Sequence, residues 1–215
     1  IVEYTFRRMG AERVGYPSIV GAGFNGTILH YDVSRAEAKD GDLVLIDAAA
    51  EFGYYTADLT RTFPVNGKFT PRQKELYELV LRAQQAAIDS IRPGITLARI
   101  QQIPREYLKA NSGTICGEQA CDRYLIHGTS HMVGMDVHDI NNPFFREIGP
   151  GWTFVVEPGI YIPDEKIGIR IEDVILVTPT GSEILTRNAP RTVADIEQLM
   201  AQGRRTAPPL PQASR

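Results

Sequence analysis

Four carboxylates stand inside, or at the end of, the most apolar strand-forming stretches of this chain. Asp47 closes the run LVLID, Asp58 sits in YYTADLTRTF, Glu157 ends TFVVE, and Glu172 interrupts GIRIEDVILV. A buried carboxylate without a partner is costly and takes up a proton instead. A fold that buries these runs must therefore bring the acids to something that holds negative charge. His131, in HGTSHMVG, adds an imidazole. Four carboxylates and one imidazole are too acidic a set for a single buried Zn²⁺ and suit two hard divalent ions that share bridging carboxylates. Two such ions about 3.5–4 Å apart can hold a hydroxide and polarise a carbonyl, which is hydrolase chemistry.

Each acid alone has a plainer reading. Asp47 or Asp58 by itself is a turn residue or an ion-pair partner. Glu172 by itself pairs with Arg170, two residues away on the same strand face. We expect both roles at the last pair, with Glu172 on the metals and Arg170 holding a neighbouring acid. Asp47 and Asp58 are eleven residues apart with EFGYY between them. Two strands joined by such a turn bring both acids to one point. His127, His131 and His138 are three of the chain's four histidines and fall within HGTSHMVGMDVHD. One suffices as a ligand, and the other two can hydrogen-bond a substrate carbonyl or a tetrahedral intermediate. The helical HExxH signature is absent.

Composition excludes other classes. A chain of 215 residues can bury one core, or two small lobes that share one. A formal net charge of −3 gives no basic footprint for nucleic acid. No apolar run is long enough to span a bilayer. The start, IVEYTFRRMG, lacks the layout of a signal peptide and reads as the end of an amphipathic helix, so we expect a chain that begins inside a larger gene product or has been trimmed. Cys116 and Cys121 in CGEQAC have no partner CxxC, and two reduced thiols in a cytoplasmic protein are expected.

Strands are expected over residues 16–22, 43–49, 59–63, 131–135, 153–157 and 167–177. Thr70-Pro71 starts a helix that runs to Ile91 and stops at Arg92-Pro93-Gly94. Thr96 caps a second helix to about residue 110, with Pro104 as a point of kinking or division. A short helix is expected over 194–201 and a disordered tail over 203–215, where PPLP has the composition of a polyproline ligand. Gly21 to Gly26 (GAGFNG) matches GxGxxG, but TILHYDVS after it offers no helix N-terminus for a pyrophosphate. A tight glycine loop is the better reading. Acids arrive at strand ends in both halves, so a two-lobed α/β structure with the site between lobes is expected, although no strong repeat is visible.

Taken together, IVGAGFNGTILHY, DLVLIDAAAEFGYYTADLTRTFPVNGKFT, HGTSHMVGMDVHD, FVVEPGIYI and IGIRIEDVILVT closely resemble the Xaa-Pro aminopeptidase and prolidase branch of the pita-bread metallopeptidases. The likeness runs from about Arg8 to Met200. It implies a pseudo-two-fold α/β (α+β) fold with a curved antiparallel sheet covered by helices. It further implies that Asp47 binds one metal, that Asp58 and Glu172 bridge the pair, and that His131 and Glu157 complete the other. A bridging water or hydroxide would be the nucleophile and Glu157 its proton acceptor. His127 and His138 would bind substrate and stabilise the intermediate, His30 would line the proline-side pocket, and Arg170 and Tyr16 would support the ligands. Mn²⁺ is the ion this branch implies, with Co²⁺ or Zn²⁺ as substitutes. The substrates would be small peptides with proline second, and a homo-oligomer is within what the family implies.

On this reading residues 1–202 are the catalytic domain, without the amino-terminal domain usual in the branch. Alanines in DAAAEF replace the glycines more common there. The first reading of function is an aminopeptidase that removes a residue preceding proline. The alternatives are prolidase, which takes Xaa-Pro dipeptides, and a non-catalytic peptide-binding module.

Overall fold

The computed structural model describes residues 1–140 and 146–206. The first half contains α1 (Val2–Arg8), β1 (Arg13–Val14), β2 (Ile19–Ala22), β3 (Leu43–Asp47), β4 (Ala50–Phe52), β5 (Tyr55–Thr56) and β6 (Thr60–Pro64). Two long helices follow, α2 (Pro71–Ser90) and α3 (Leu97–Asn111). The second half contains β7 (Thr153–Val156), β8 (Gly159–Ile162), β9 (Ile167–Arg170), β10 (Asp173–Val177), β11 (Ser182–Ile184) and α4 (Val193–Thr206).

Each half contributes a three-stranded antiparallel sheet, in the orders β2-β3-β6 and β11-β10-β7. β8 and β9 form an antiparallel pair, and β1-β4-β5 form a small sheet beside the first. α2 spans both halves. Leu76, Leu79, Val80 and Ala83 of its first turns join Ile160, Ile162, Ile167 and Ile169 in one buried cluster. Ala87 and Ile88, near its end, join Ile100 of α3 and Phe154, Val156, Ile175 and Val177 in another. The mixed α/β class with antiparallel sheets and covering helices is the one the sequence leads one to expect.

Local chemistry sets the helix limits. The Thr70 side chain accepts from the Gln73 amide while Gln73 returns a bond to the Thr70 amide, and Pro71 takes the first turn. The helix ends at Ile91, which is extended, ahead of Gly94 at φ +91°. Thr96 caps α3 through the Arg99 amide, and Pro104 is accommodated without dividing the helix.

Several expectations are corrected. Residues 131–135 are not a strand, and Met132 makes a single bridge to Phe154. The amide of Gly134 bonds the carbonyl of Asp136 and that of Asp139 bonds Met132, so the chain folds back on itself. Residues 167–177 are two strands, because the amides of Ile171 and Glu172 leave the ladder to bond Pro158 and Thr60. The segment 16–22 becomes a strand only from Ile19. The final helix runs on through Thr206, past the expected tail start at 203, and PPLP lies outside the described residues. Cys116 and Cys121 are not free thiols but a disulfide. A turn at Ser112–Gly117 returns the chain, with Gly117 at φ +80°, and brings the two Cα atoms to 5.2 Å. Among the described residues, no helix is long and apolar enough to cross a membrane.

GAGFNG ends β2 with Gly21 and Ala22 and then enters a five-residue 3-10 turn, Gly23–Thr27, that ends in extended backbone at Ile28. Its glycines serve close packing: a Cβ on Gly168 of β9 would lie 1.9 Å from the Gly26 carbonyl oxygen.

Candidate metal centre

The acids reach one place because their strands are neighbours. Asp47 ends β3 directly opposite Thr60 of β6, and the Ala48 amide bonds the Leu59 carbonyl, so Asp58 comes alongside. Glu157 follows β7, and Glu172 precedes β10, which pairs with β7. Ligand atoms of Asp58, His131 and Glu172 all lie within 4.8 Å of one another. Glu157 joins through its Oε1, 3.5 Å from His131 Nε2, which is also 3.5 Å from Asp58 Oδ2. Asp47 joins through the Tyr16 hydroxyl, which lies 2.5 Å from Asp47 and 2.6 Å from Asp58. These five, with His30, His127, His138 and Arg170, line a cavity of about 310 Å³.

The backbone fixes the tautomer of the His131 imidazole. Its Nδ1 lies 3.1 Å from the Met132 carbonyl, which can only accept, so Nδ1 carries the proton and the Nε2 lone pair faces the carboxylates. Burial lowers its pKa to about 4 and keeps it neutral. The carboxyls move the other way. Burial, with Asp47 nearby, raises Asp58 to about 7. Burial raises Glu157 to about 8 against the pull of Arg170. Burial and the neighbouring acids push Glu172 far above the ordinary carboxylate range. One hydroxyl proton on Tyr16 cannot serve both Asp47 and Asp58, so one of the two carboxyls must donate, which agrees with a raised Asp58. Burial and both aspartates push the Tyr16 phenol up strongly.

Arg170 sits among these acids as a buried cation. Its Nη2 donates to Asp47 Oδ2 at 2.7 Å, Nε to the Thr60 hydroxyl, and Nη1 to the Tyr161 hydroxyl at 2.9 Å. Thr60 in turn donates to Glu172 Oε2 at 2.6 Å. Burial alone would lower the Arg170 pKa, but the surrounding anions outweigh it and hold the guanidinium charged.

Tyr161 is the residue that sequence reasoning missed. Having accepted from Arg170, its hydroxyl donates to His127 Nε2 at 2.8 Å. His127 Nδ1 donates to the Gly128 carbonyl at 2.6 Å, so both ring nitrogens are engaged. Burial, with Arg170 close by, lowers His127 to about 4. A phenol in the buried run GIYI was the available signal, since such a hydroxyl requires a partner. His138 and His30 differ from His127 in being exposed. The His138 ring lies 4.4 Å from that of His131 and 6.2 Å from that of His30. Both line a second cavity of about 220 Å³ with Tyr16, Asp47 and Asp58.

The donor set fits hard divalent cations. Four carboxylates and a neutral imidazole converge, and burial with mutual repulsion would otherwise keep several of the acids protonated. A cation favours their ionised forms.

The chain matches metallopeptidase family M24 over residues 1–179. It is 40% identical over 225 residues to the Xaa-Pro aminopeptidase of Escherichia coli (strain K12), covering 95% of this chain and 51% of that protein. It is 41% identical over 218 residues to that of Haemophilus influenzae, covering 92% and 51%. Among solved structures it resembles the aminopeptidase PepP of Pseudomonas aeruginosa, with a TM-score of 0.88, 43% identity, and 95% of this chain and 51% of that one covered. For a putative aminopeptidase P from Bacillus anthracis the TM-score is 0.89, with 38% identity and 93% and 48% covered. The chain therefore spans about half the length of the curated relatives it matches. The architecture is the pita-bread fold, and the chain belongs to metallopeptidase family M24.

Proposed function

We propose that residues 1–202 form the catalytic domain of a dimetal aminopeptidase that hydrolyses the bond between an N-terminal residue and proline. The observation that carries this reading is the meeting of Asp58, His131 and Glu172, with Asp47 and Glu157 alongside, in one cavity whose mouth holds His30 and His138. The likeness to proteins named Xaa-Pro aminopeptidase supports it.

In this reading Asp47, Asp58, His131, Glu157 and Glu172 hold two divalent ions; the oxygen-rich set agrees with a hard ion, and Mn²⁺ is proposed on the family resemblance, with Co²⁺ or Zn²⁺ as substitutes. When bound, the ions supply a nucleophile at neutral pH and polarise the scissile carbonyl. Glu157, its carboxyl held ionised once the ions are bound, is the proton acceptor. Arg170 fixes Asp47 and, through Tyr161, the ring of His127. His138 and His30, exposed at the mouth, meet the substrate. The amide before proline lacks an N–H, so recognition rests on its carbonyl and on the free amino terminus.

The test is mass-spectrometric analysis of Ala-Pro-Ala and Ala-Pro after incubation with the Mn²⁺-loaded chain. Release of Ala from the tripeptide is expected. Cleavage of the dipeptide alone makes the protein a prolidase. Cleavage of neither, with metal bound, refutes a peptidase role for this chain alone. Failure to bind metal would favour a peptide-binding module.

We place the protein in the cytoplasm, where reduction would open the Cys116–Cys121 bond. Alkylation at lysis should then label both thiols, whereas an unlabelled pair assigns the protein to an oxidising compartment. A homo-oligomer is part of the same proposal, and sedimentation analysis measures it.

A further inference from the structure

We infer that Gln84 of α2, assisted by Arg61 of β6, is a positioning residue for Glu157 and Glu172, an inference that rests on reading those two acids as metal ligands. Gln84 is wholly buried. Its Nε2 lies 3.0 Å from the Val156 carbonyl and 3.2 Å from the Ile171 carbonyl, each one residue before one of the two glutamates. The same nitrogen lies 2.9 Å from Oδ2 of Asp173, one residue after Glu172. An amide nitrogen has two hydrogens, so these three acceptors share them.

Arg61, also buried, completes the hold from the opposite half of the molecule. Its Nη1 donates to the carbonyl of Glu172 itself at 2.6 Å and to that of Thr60 at 3.0 Å. Its Nη2 donates to Asp173 Oδ1 at 2.7 Å and its Nε to the Pro190 carbonyl at 2.8 Å. Thr186 adds a bond to Asp173 Oδ1. The chain is thus held at 171, 172 and 173, through the carbonyls of Ile171 and Glu172 and the carboxylate of Asp173, where it passes from β9 into β10.

The arrangement suits positioning better than packing. A buried amide or guanidinium is costly unless every polar atom is matched, and an apolar side chain of the same size would fill the space at lower cost. What the amide adds is a common reference. Two ligand-bearing segments, 15 residues apart in sequence, are tied to one nitrogen on a capped 20-residue helix. Ligand carboxylates must be held to within about 0.5 Å for tight ion binding, and groups behind the ligands do this.

The test is calorimetric titration of the chelator-stripped 215-residue chain with Mn²⁺. Gln84→Met keeps length and volume and removes both donors, and its Kd should rise about 10-fold or more. Leu76→Ala, in the same helix and wholly buried, is the control for general loosening, and its Kd should stay at the wild-type value. Should Gln84→Met not fold, Arg61→Lys carries the same expectation. It keeps a charge opposite Asp173 but cannot reach the Thr60, Glu172 and Pro190 carbonyls together. An unchanged Kd in the folded variant, or an equal rise in Leu76→Ala, overturns the inference and leaves the metal centre standing. A wild-type chain that takes up no Mn²⁺ overturns both.

Discussion

His127, expected to face the substrate, has both ring nitrogens engaged, one by Gly128 and one by Tyr161. His138 has an exposed ring 4.4 Å from the ring of His131. On the proposed function, the substrate role would therefore fall first on His138. We expect His138→Ala to lower turnover about 100-fold or more, the scale of a lost intermediate-stabilising donor, while elemental analysis finds metal content unchanged. Asp58→Asn should lower both. If His138→Ala sheds its metal, the ligand imidazole is His138 and not His131. At this scale the acids were legible because a charge inside an apolar run is conspicuous without knowledge of its neighbours. Tyr161 was not, since its partners Arg170 and His127 lie 9 and 34 residues away and are joined to it only by the fold.

Elements were legible where local chemistry sets them. Thr70-Pro71 and Pro93-Gly94 bracket α2 with capping and backbone effects that act within a few residues. The segments 131–135 and 167–177 were misjudged for the opposite reason. Both read as strands in isolation, but bonds to distant strands decide otherwise, the Gly134 carbonyl accepting from the Thr56 amide of β5 and the Glu172 amide donating to the Thr60 carbonyl of β6. The disulfide was missed likewise, because the spacing of Cys116 and Cys121 says nothing of the turn that brings them together. The glycine loop was read correctly as a turn, though not for its use, which is to let the 3-10 segment touch β9 beside Arg170. Gly168→Ala should therefore be destabilising by about 1–3 kcal/mol, the usual cost of overpacking, because the obstacle is backbone. Urea unfolding measures this. Gly181→Ala, where a Cβ meets nothing within 4 Å, should change stability by less than about 0.5 kcal/mol. Equal effects at the two positions would mean that the loop yields easily and does not set the place of β9.

For the whole molecule, the titrating groups of the site make stability depend on pH and on metal together. The carboxyls of Asp58 and Glu157 are raised to about 7 and about 8. A raised acid stabilises the folded chain fully below the unfolded-state pKa and ceases to as pH climbs through the folded value. His127 and His131, lowered to about 4, act in the opposite sense, and their contribution grows as pH rises from about 4 towards the usual imidazole range near 6.5. Below about pH 6.5 the two effects oppose each other. Above it the histidines are neutral in both states and only the carboxyls still change. The metal-free chain should accordingly lose melting temperature between pH 6.5 and pH 8. A divalent cation needs those same carboxyls ionised, so proton competition fades over the same interval and binding tightens. Because binding to the folded state raises stability by mass action, the rise in Tm on adding Mn²⁺ should grow from pH 6 to pH 8. Scanning fluorimetry across that range, with Mn²⁺ or with a chelator, reads both trends. A Mn²⁺ effect that is the same at every pH would show that the ion does not compete with the protons of Asp58 and Glu157 and must be held elsewhere.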